Sequence, residues 1–525
     1  MRNIWKRGAR LGVTSGLIGA VAVLAGCADE ADEQVVPVSD IVFCTSPASM
    51  PPGLGWPAAA SQIAGWVANR DEQATREHGW KLFAGLQEEQ GAGWTWQSWC
   101  TETQAFSIDD EDAPRSGGTG KSAALVAQSE KPMRAFKIDN GLTTGEEPIN
   151  FKPHPIYAVP QPVLDNTDYK GCIVSTPGEA DSLANGPTLQ NNGDVMLAGV
   201  IYNSAAYDWI RQNQLYSAEV LQGMRPPQDE TKQIADFPSE AIVLKPMLWP
   251  ISQEGYTAVP VWDDLSEDYG KYSGFEIQTQ WPRAVAVTTG PVSSDPVEVT
   301  MLANKGVTLG GSRVGPNTYE QASPVSIDDF YSFEPDFASM DPCDRALIDT
   351  SAYYAYGRTF EQGDRLALVA MHIQTKEQES WTFQSVWWSD RPDEGPYSTY
   401  RPEIAGAGGP SQHYLMASTY DWPAEPGGST WPIAYNPYIE LAAAHPIKTN
   451  CQNCHQRSAF PGQKDGYLAT GGPGALEIYS YDDEEIFAGL IGADSLWSIP
   501  DRALCRDGSK PPCSDAETAA RSASD

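Results

Sequence analysis

Nine cysteines constrain this 525-residue chain more than any other feature. They stand at Cys27, Cys44, Cys100, Cys172, Cys343, Cys451, Cys454, Cys505 and Cys513. One, Cys27, closes an apolar N-terminal stretch, and two more lie three positions apart in Cys451-Gln452-Asn453-Cys454-His455. The other six are an even set, as expected where an oxidising compartment pairs surplus thiols. Six cysteines allow fifteen pairings. Cys505 and Cys513 flank a loop containing Gly508, Pro511 and Pro512, which predicts a local bridge between them. The remaining four cannot be paired from the sequence.

The close pair has the spacing of covalent haem attachment, C-x-x-C-H. Two thiols on one helical turn each reach a vinyl group, and the adjacent imidazole meets the iron. A zinc half-site requires a second ligand pair, and the sequence holds no other C-x-x-C and no H-x-x-x-H. A thiol redox site follows a strand and opens a helix. Here Pro446-Ile447-Lys448-Thr449-Asn450 precedes the first thiol. The expectation is one haem c, held by Cys451 and Cys454, with His455 as the proximal ligand.

The N-terminus reads as an address. Residues 1–26 combine Arg2, Lys6, Arg7 and Arg10 with an apolar run from Leu11 to Leu24, too short for a comfortable membrane span. Leu24-Ala25-Gly26-Cys27 resembles the lipobox of bacterial lipoproteins. That resemblance implies a signal peptide over 1–26 and acyl chains on Cys27. Ala28, rather than Asp, points by the same resemblance to the outer membrane. Residues 27–40 then serve as an acidic tether. Removing the four basic residues of 1–26 takes the net charge from −34 to −38. Such a surface repels nucleic acid and favours a basic redox partner in the cell envelope.

The body, 41–425, reads as α+β, predominantly antiparallel and sandwich-like. A helix is predicted over Asp71–Leu86, where Trp80, Phe83 and Leu86 recur at helical spacing, and another over Ala205–Gly223. Strands are predicted at Ala241–Leu248, Phe275–Thr289 and Val297–Leu302, between Pro and Gly punctuation. Leu366–Thr375 and Trp381–Trp388 form a hairpin around a Lys376–Ser380 loop. Residues 426–504 form the haem segment, with Asn436 and Pro437 opening a short helix that Pro446 ends. Another short helix is expected over Glu484–Gly492. Residues 505–525 form the disulfide loop and a polar tail. Arg115–Ser122 ends like a phosphate-binding loop, but Arg115 replaces its leading glycine, and a solvated turn is expected there.

Mitochondrial-type cytochromes c place a Met ligand downstream of the haem motif. This chain departs from them, because no His or Met follows His455. A second axial ligand must come from upstream. His372 is the first candidate, at the rim of an apolar strand face shared with Leu366, Leu368 and Ala370. Met416 is the second, and His445 and His413 follow. His78 is expected on a helix surface and His154 in a loop.

Scattered pieces carry a wider resemblance. They include His78-Gly79-Trp80-Lys81-Leu82-Phe83, Trp94-Thr95-Trp96, Tyr207-Asp208-Trp209-Ile210, Ala370-Met371-His372-Ile373, Asn436-Pro437-Tyr438 and Leu496-Trp497-Ser498. With C-x-x-C-H, the chain resembles a loosely defined group of exported bacterial cytochrome c family proteins. That resemblance implies that Met371-His372-Ile373 belongs to a shared framework. Three functions compete at this point. The first is a membrane-anchored monohaem electron-transfer protein. The second is a haem enzyme or ligand sensor with an open distal site. The third is a lipoprotein that binds polysaccharide or protein without redox work.

Overall fold

The computed structural model describes residue 44 and residues 47–90, 93–108, 158–175, 181–190, 195–262, 278, 281–303, 317–401, 409–421, 434–439, 450–462, 481–482, 487–506 and 508–513. All belong to a compact unit spanning Asp40–Asp525. Cys27, the tether, Arg115–Ser122, His154 and His445 lie outside the described residues.

The chain is α+β, built around a large antiparallel sheet, as expected. That sheet contains β1 (Cys100–Thr101), β2 (Ile201–Tyr202), β3 (Ile242–Ile251), β8 (Arg365–Thr375), β9 (Thr382–Trp388) and β10 (Tyr414–Thr419). Their order is β10-β9-β8-β3-β2-β1, and two short strands, Leu197–Ala198 and Ser332–Phe333, add to β3 and β8. A second sheet joins β4 (Thr257–Pro260), β5 (Ala284–Thr288), β7 (Asn317–Ser326) and β6 (Val297–Met301), with β5 and β7 parallel. Among the described residues no helix is long and apolar enough to cross a membrane.

Helix α1 (Ala60–Asn69) precedes α2 (Glu72–Leu86), which the Asp71 side chain caps by accepting from Ala74 N at 3.0 Å. Trp80, Phe83 and Leu86 are buried, so the predicted stripe is the packed one. A Cβ on Gly79 would lie 2.8 Å from Met416 Sδ and from Gln384 Cγ, so glycine lets α2 lie close on β9 and β10. The predicted helix over Ala205–Gly223 is two helices, α3 (Ser204–Gln212) and α4 (Ala218–Met224). Gln214 between them takes φ +52°, which ends helical hydrogen bonding. Helix α5 (Pro342–Tyr356) has Asp341 as its cap, Pro342 in its first turn and Gly357 at φ +89° after it. It packs on β3 and also touches β4 and β6.

The hairpin of β8 and β9 pairs His372 with Ser385 and Thr375 with Thr382. Its loop runs one residue further than predicted, because Trp381 sits at φ +62°. A β-bulge corrects the predicted strand face. Leu368 pairs with Leu248, but Ala370 pairs with Met247, so one extra residue enters β8. Leu366 and Leu368 therefore lie on the face opposite Ala370 and His372.

Three disulfides staple the unit: Cys44–Cys100, Cys172–Cys343 and the predicted Cys505–Cys513. Cys172–Cys343 ties α5 to the segment before Ile173. A small sheet of Ala459–Phe460, Ile491–Gly492 and Lys232–Gln233 holds the chain that follows the C-x-x-C-H segment. The predicted helix over Glu484–Gly492 gives way to strand at Ile491–Gly492, where pairing to Lys232–Gln233 takes over the backbone.

Candidate metal centre

Cys451–His455 is a single helical turn, α6. Asn450 caps it, its side-chain oxygen accepting from Gln452 N at 2.9 Å and Asn453 N at 3.3 Å. The turn is anchored by Gln452, which is wholly buried. Its Nε2 donates to Trp381 O at 2.7 Å and Asp421 Oδ1 at 2.9 Å. Its Oε1 accepts from Thr419 Oγ1 at 2.6 Å and Asp421 N at 2.9 Å. A residue between the two cysteines thus locks the motif to β10 and to the β8–β9 loop. Nothing in the spacing of the motif reveals this.

The structure brings together two histidines 83 positions apart in sequence. The rings of His372 and His455 lie 5.3 Å apart between centroids and 25° from parallel. Phe383 covers both, 4.7 Å from His455 and 5.3 Å from His372. His455 Nδ1 donates to Ser495 O at 2.9 Å, and a carbonyl only accepts, which makes Nε2 the unprotonated nitrogen. His372 Nδ1 lies 3.0 Å from Ser385 Oγ, and that hydroxyl accepts from Asn436 Nδ2 at 3.0 Å. In the tautomer whose Nδ1–H donates to Ser385, His372 Nε2 carries the free lone pair. It is buried and, among the described residues, has no hydrogen-bond partner. An orphaned buried nitrogen is costly unless something binds it.

Both imidazoles are neutral near pH 7. Burial pushes His455 down to about 4, with the Lys245 charge adding to the effect and the bond to Ser495 opposing it. Burial, then His455 and Lys245, hold His372 well below the usual imidazole range. Lys245 faces His372 directly across the sheet, on β3. Neutral imidazole is the form that ligates metal.

The cysteines fit an extended cofactor better than a single ion. Cys451 and Cys454 belong to none of the three disulfides. Cys451 is buried with Sγ 3.4 Å from Ala434 O, and Cys454 is half-buried. Among the described residues, donor atoms converge within 4.8 Å only in Glu219, Cys505 and Cys513, and there both sulfurs are bridged. The sulfurs and imidazoles of the motif do not close on one point, as a zinc site requires. Ligands spaced around a macrocycle need not. A haem there would be held by Cys451 and Cys454 through thioethers, with His455 and His372 as the imidazoles available to its iron.

The other sequence candidates lie elsewhere. Met416 is buried opposite Val386, on the face that carries α2, because side chains alternate along β10. The sheet separates it from His455, which corrects its candidacy as an axial ligand. His413 is half-exposed, 3.4 Å from Asp329, with its ring stacked on Trp388. His78 is not on the surface: it is buried, with Nε2 3.0 and 3.1 Å from the two oxygens of Glu377. The groups that sequence reading missed are Ser385, Asn436, Ser495 and Gln452, all polar residues whose partners are distant in sequence. No known family, curated protein sequence or solved structure matches the chain.

Proposed function

We propose that this chain is a monohaem c-type electron-transfer protein of the bacterial cell envelope. Cys451 and Cys454 hold the haem through thioethers, His455 is the proximal ligand and His372 the second axial ligand. The observation that carries this reading is the approach of His372 to His455 with its Nε2 buried and, among the described residues, unpartnered. When bound, the haem supplies a one-electron iron couple. The chain's own residues do the rest. Ser495 and Ser385 orient the two imidazoles, Phe383 excludes water beside both, and burial keeps both rings unprotonated.

A filled distal position favours electron transfer over an enzyme or sensor with an open iron. The three disulfides support an oxidising compartment, in keeping with export and lipid attachment at Cys27 to the outer membrane. The strongly negative surface favours a basic redox partner and salt-sensitive encounter.

The test is the spectrum of His372→Ala made with haem-maturation machinery. The wild type is expected to be low-spin, and the variant high-spin and open to carbon monoxide. Met416→Leu should leave the spectrum unchanged. A low-spin spectrum in His372→Ala, indistinguishable from wild type, refutes His372 as a ligand.

A further inference from the structure

The proximal carbonyl belongs to a turn that does not hold its shape unaided. Asp494 and Ser495 both lie in the left-handed region, at φ +46° and +63°, a conformation disfavoured for residues with a Cβ. Two such residues in succession require outside support. Ser495 N donates to Tyr481 Oη at 2.6 Å. Ser495 O accepts from both His455 Nδ1 at 2.9 Å and Gln374 Nε2 at 3.0 Å. The carboxylate of Asp494 is buried, one oxygen 2.6 Å from Lys376 Nζ and the other accepting from Phe237 N at 3.0 Å. Lys376 is itself buried and also donates to Glu379 O at 2.7 Å. It sits in the β8–β9 loop, just beyond the strand that carries His372.

From this geometry we propose that the Lys376–Asp494 ion pair is a positioning brace. It holds the Ser495 carbonyl on His455 Nδ1 and so keeps the reduction potential of the iron down. The inference rests on the haem reading above. A carbonyl that accepts from Nδ1–H makes the imidazole a stronger donor, which favours ferric iron. The position of the carbonyl depends on the strained turn, and the turn is fastened by a charge pair that is almost wholly buried. Lys376 also links the two axial ligands mechanically, because the same hairpin presents His372.

The test is Lys376→Met with Asp494→Leu, which removes both charges and leaves none buried alone. The covalently loaded full chain is titrated for reduction potential, with haem content and spin state read on the same sample. The brace predicts wild-type haem content, a low-spin spectrum and about a tenfold weaker preference for ferric iron. For one electron that is about 59 mV upward. Asp494→Asn, which keeps size and shape, should move the potential the same way by a smaller amount, and it stands in if the double variant does not accumulate. A loaded variant at wild-type potential overturns the brace while leaving the haem reading intact. A wild-type protein without covalent haem overturns both.

Discussion

Glu377 follows Lys376 in the same loop and faces the other side of the sheet, toward α1 and α2. Its carboxylate has no exposure and gathers three partners. Ala58 N donates at 2.6 Å, Thr375 Oγ1 at 2.7 Å, and His78 Nε2 lies 3.0 and 3.1 Å from its two oxygens. Glu377→Leu strands the Ala58 N–H and the His78 ring nitrogen. Two orphaned donors at about 1–3 kcal/mol each agree with the roughly 3–5 kcal/mol expected when one member of a buried pair is removed. Thr375 loses less, because its hydroxyl keeps Thr382 Oγ1 at 2.6 Å. Glu377→Gln keeps one acceptor and forfeits the charge, for about 1–2 kcal/mol. The assay is urea unfolding followed by tryptophan fluorescence at pH 7, with His78→Leu completing a double-mutant cycle. The pair predicts a Leu variant at least twice as costly as Gln, and a double variant cheaper than the sum of the two singles. A Leu variant within about 1 kcal/mol of wild type would show that the pair is not formed as described. Under the proposed haem reading, neither substitution should move the reduction potential, because Glu377 faces away from His455.

Two further predictions concern the body. Replacing both Cys172 and Cys343 by Ala opens a loop with a sequence separation of 171 residues, which loop entropy values at up to about 5 kcal/mol. A urea midpoint unchanged from wild type would contradict that bridge. Burial pushes Asp344 up to about 7, against its bonds from Leu189 N and Thr188 N. The native state then keeps this proton to higher pH than the unfolded chain does. Stability from this group is full below about pH 4 and is lost as pH rises to about 7, by roughly 4 kcal/mol. Asp344→Asn should flatten that slope in unfolding free energies measured from pH 4 to 7, and curves parallel to wild type would refute the assignment.

What the sequence disclosed was what short-range chemistry dictates. Helix α2 was legible because Asp71 caps it and Trp80, Phe83 and Leu86 repeat on one face. The β8–β9 hairpin was legible from two apolar runs around a polar loop. The C-x-x-C-H spacing and the Cys505–Cys513 bridge are equally local. The failures have physical causes. A single bulged residue in β8 moved Leu366 and Leu368 off the face of His372, and no side chain announces a bulge. His78 looks exposed on a helix until Glu377, 299 residues away, provides a buried partner. Helix α5 carries signals at Asp341, Pro342 and Gly357, but small and aromatic residues around its whole circumference blur the stripe. Ser495 was invisible because the carbonyl, not the side chain, serves His455.

The central claim is that Cys451, Cys454 and His455 carry a covalent haem with His372 opposite. The most direct measurement is a pyridine haemochrome assay on the full chain, produced with haem-maturation machinery and extracted with acidified acetone. One haem per chain, resisting extraction and showing a c-type band, is the predicted result. A haem-free protein, or one whose Cys451 and Cys454 are found joined to each other, would contradict it.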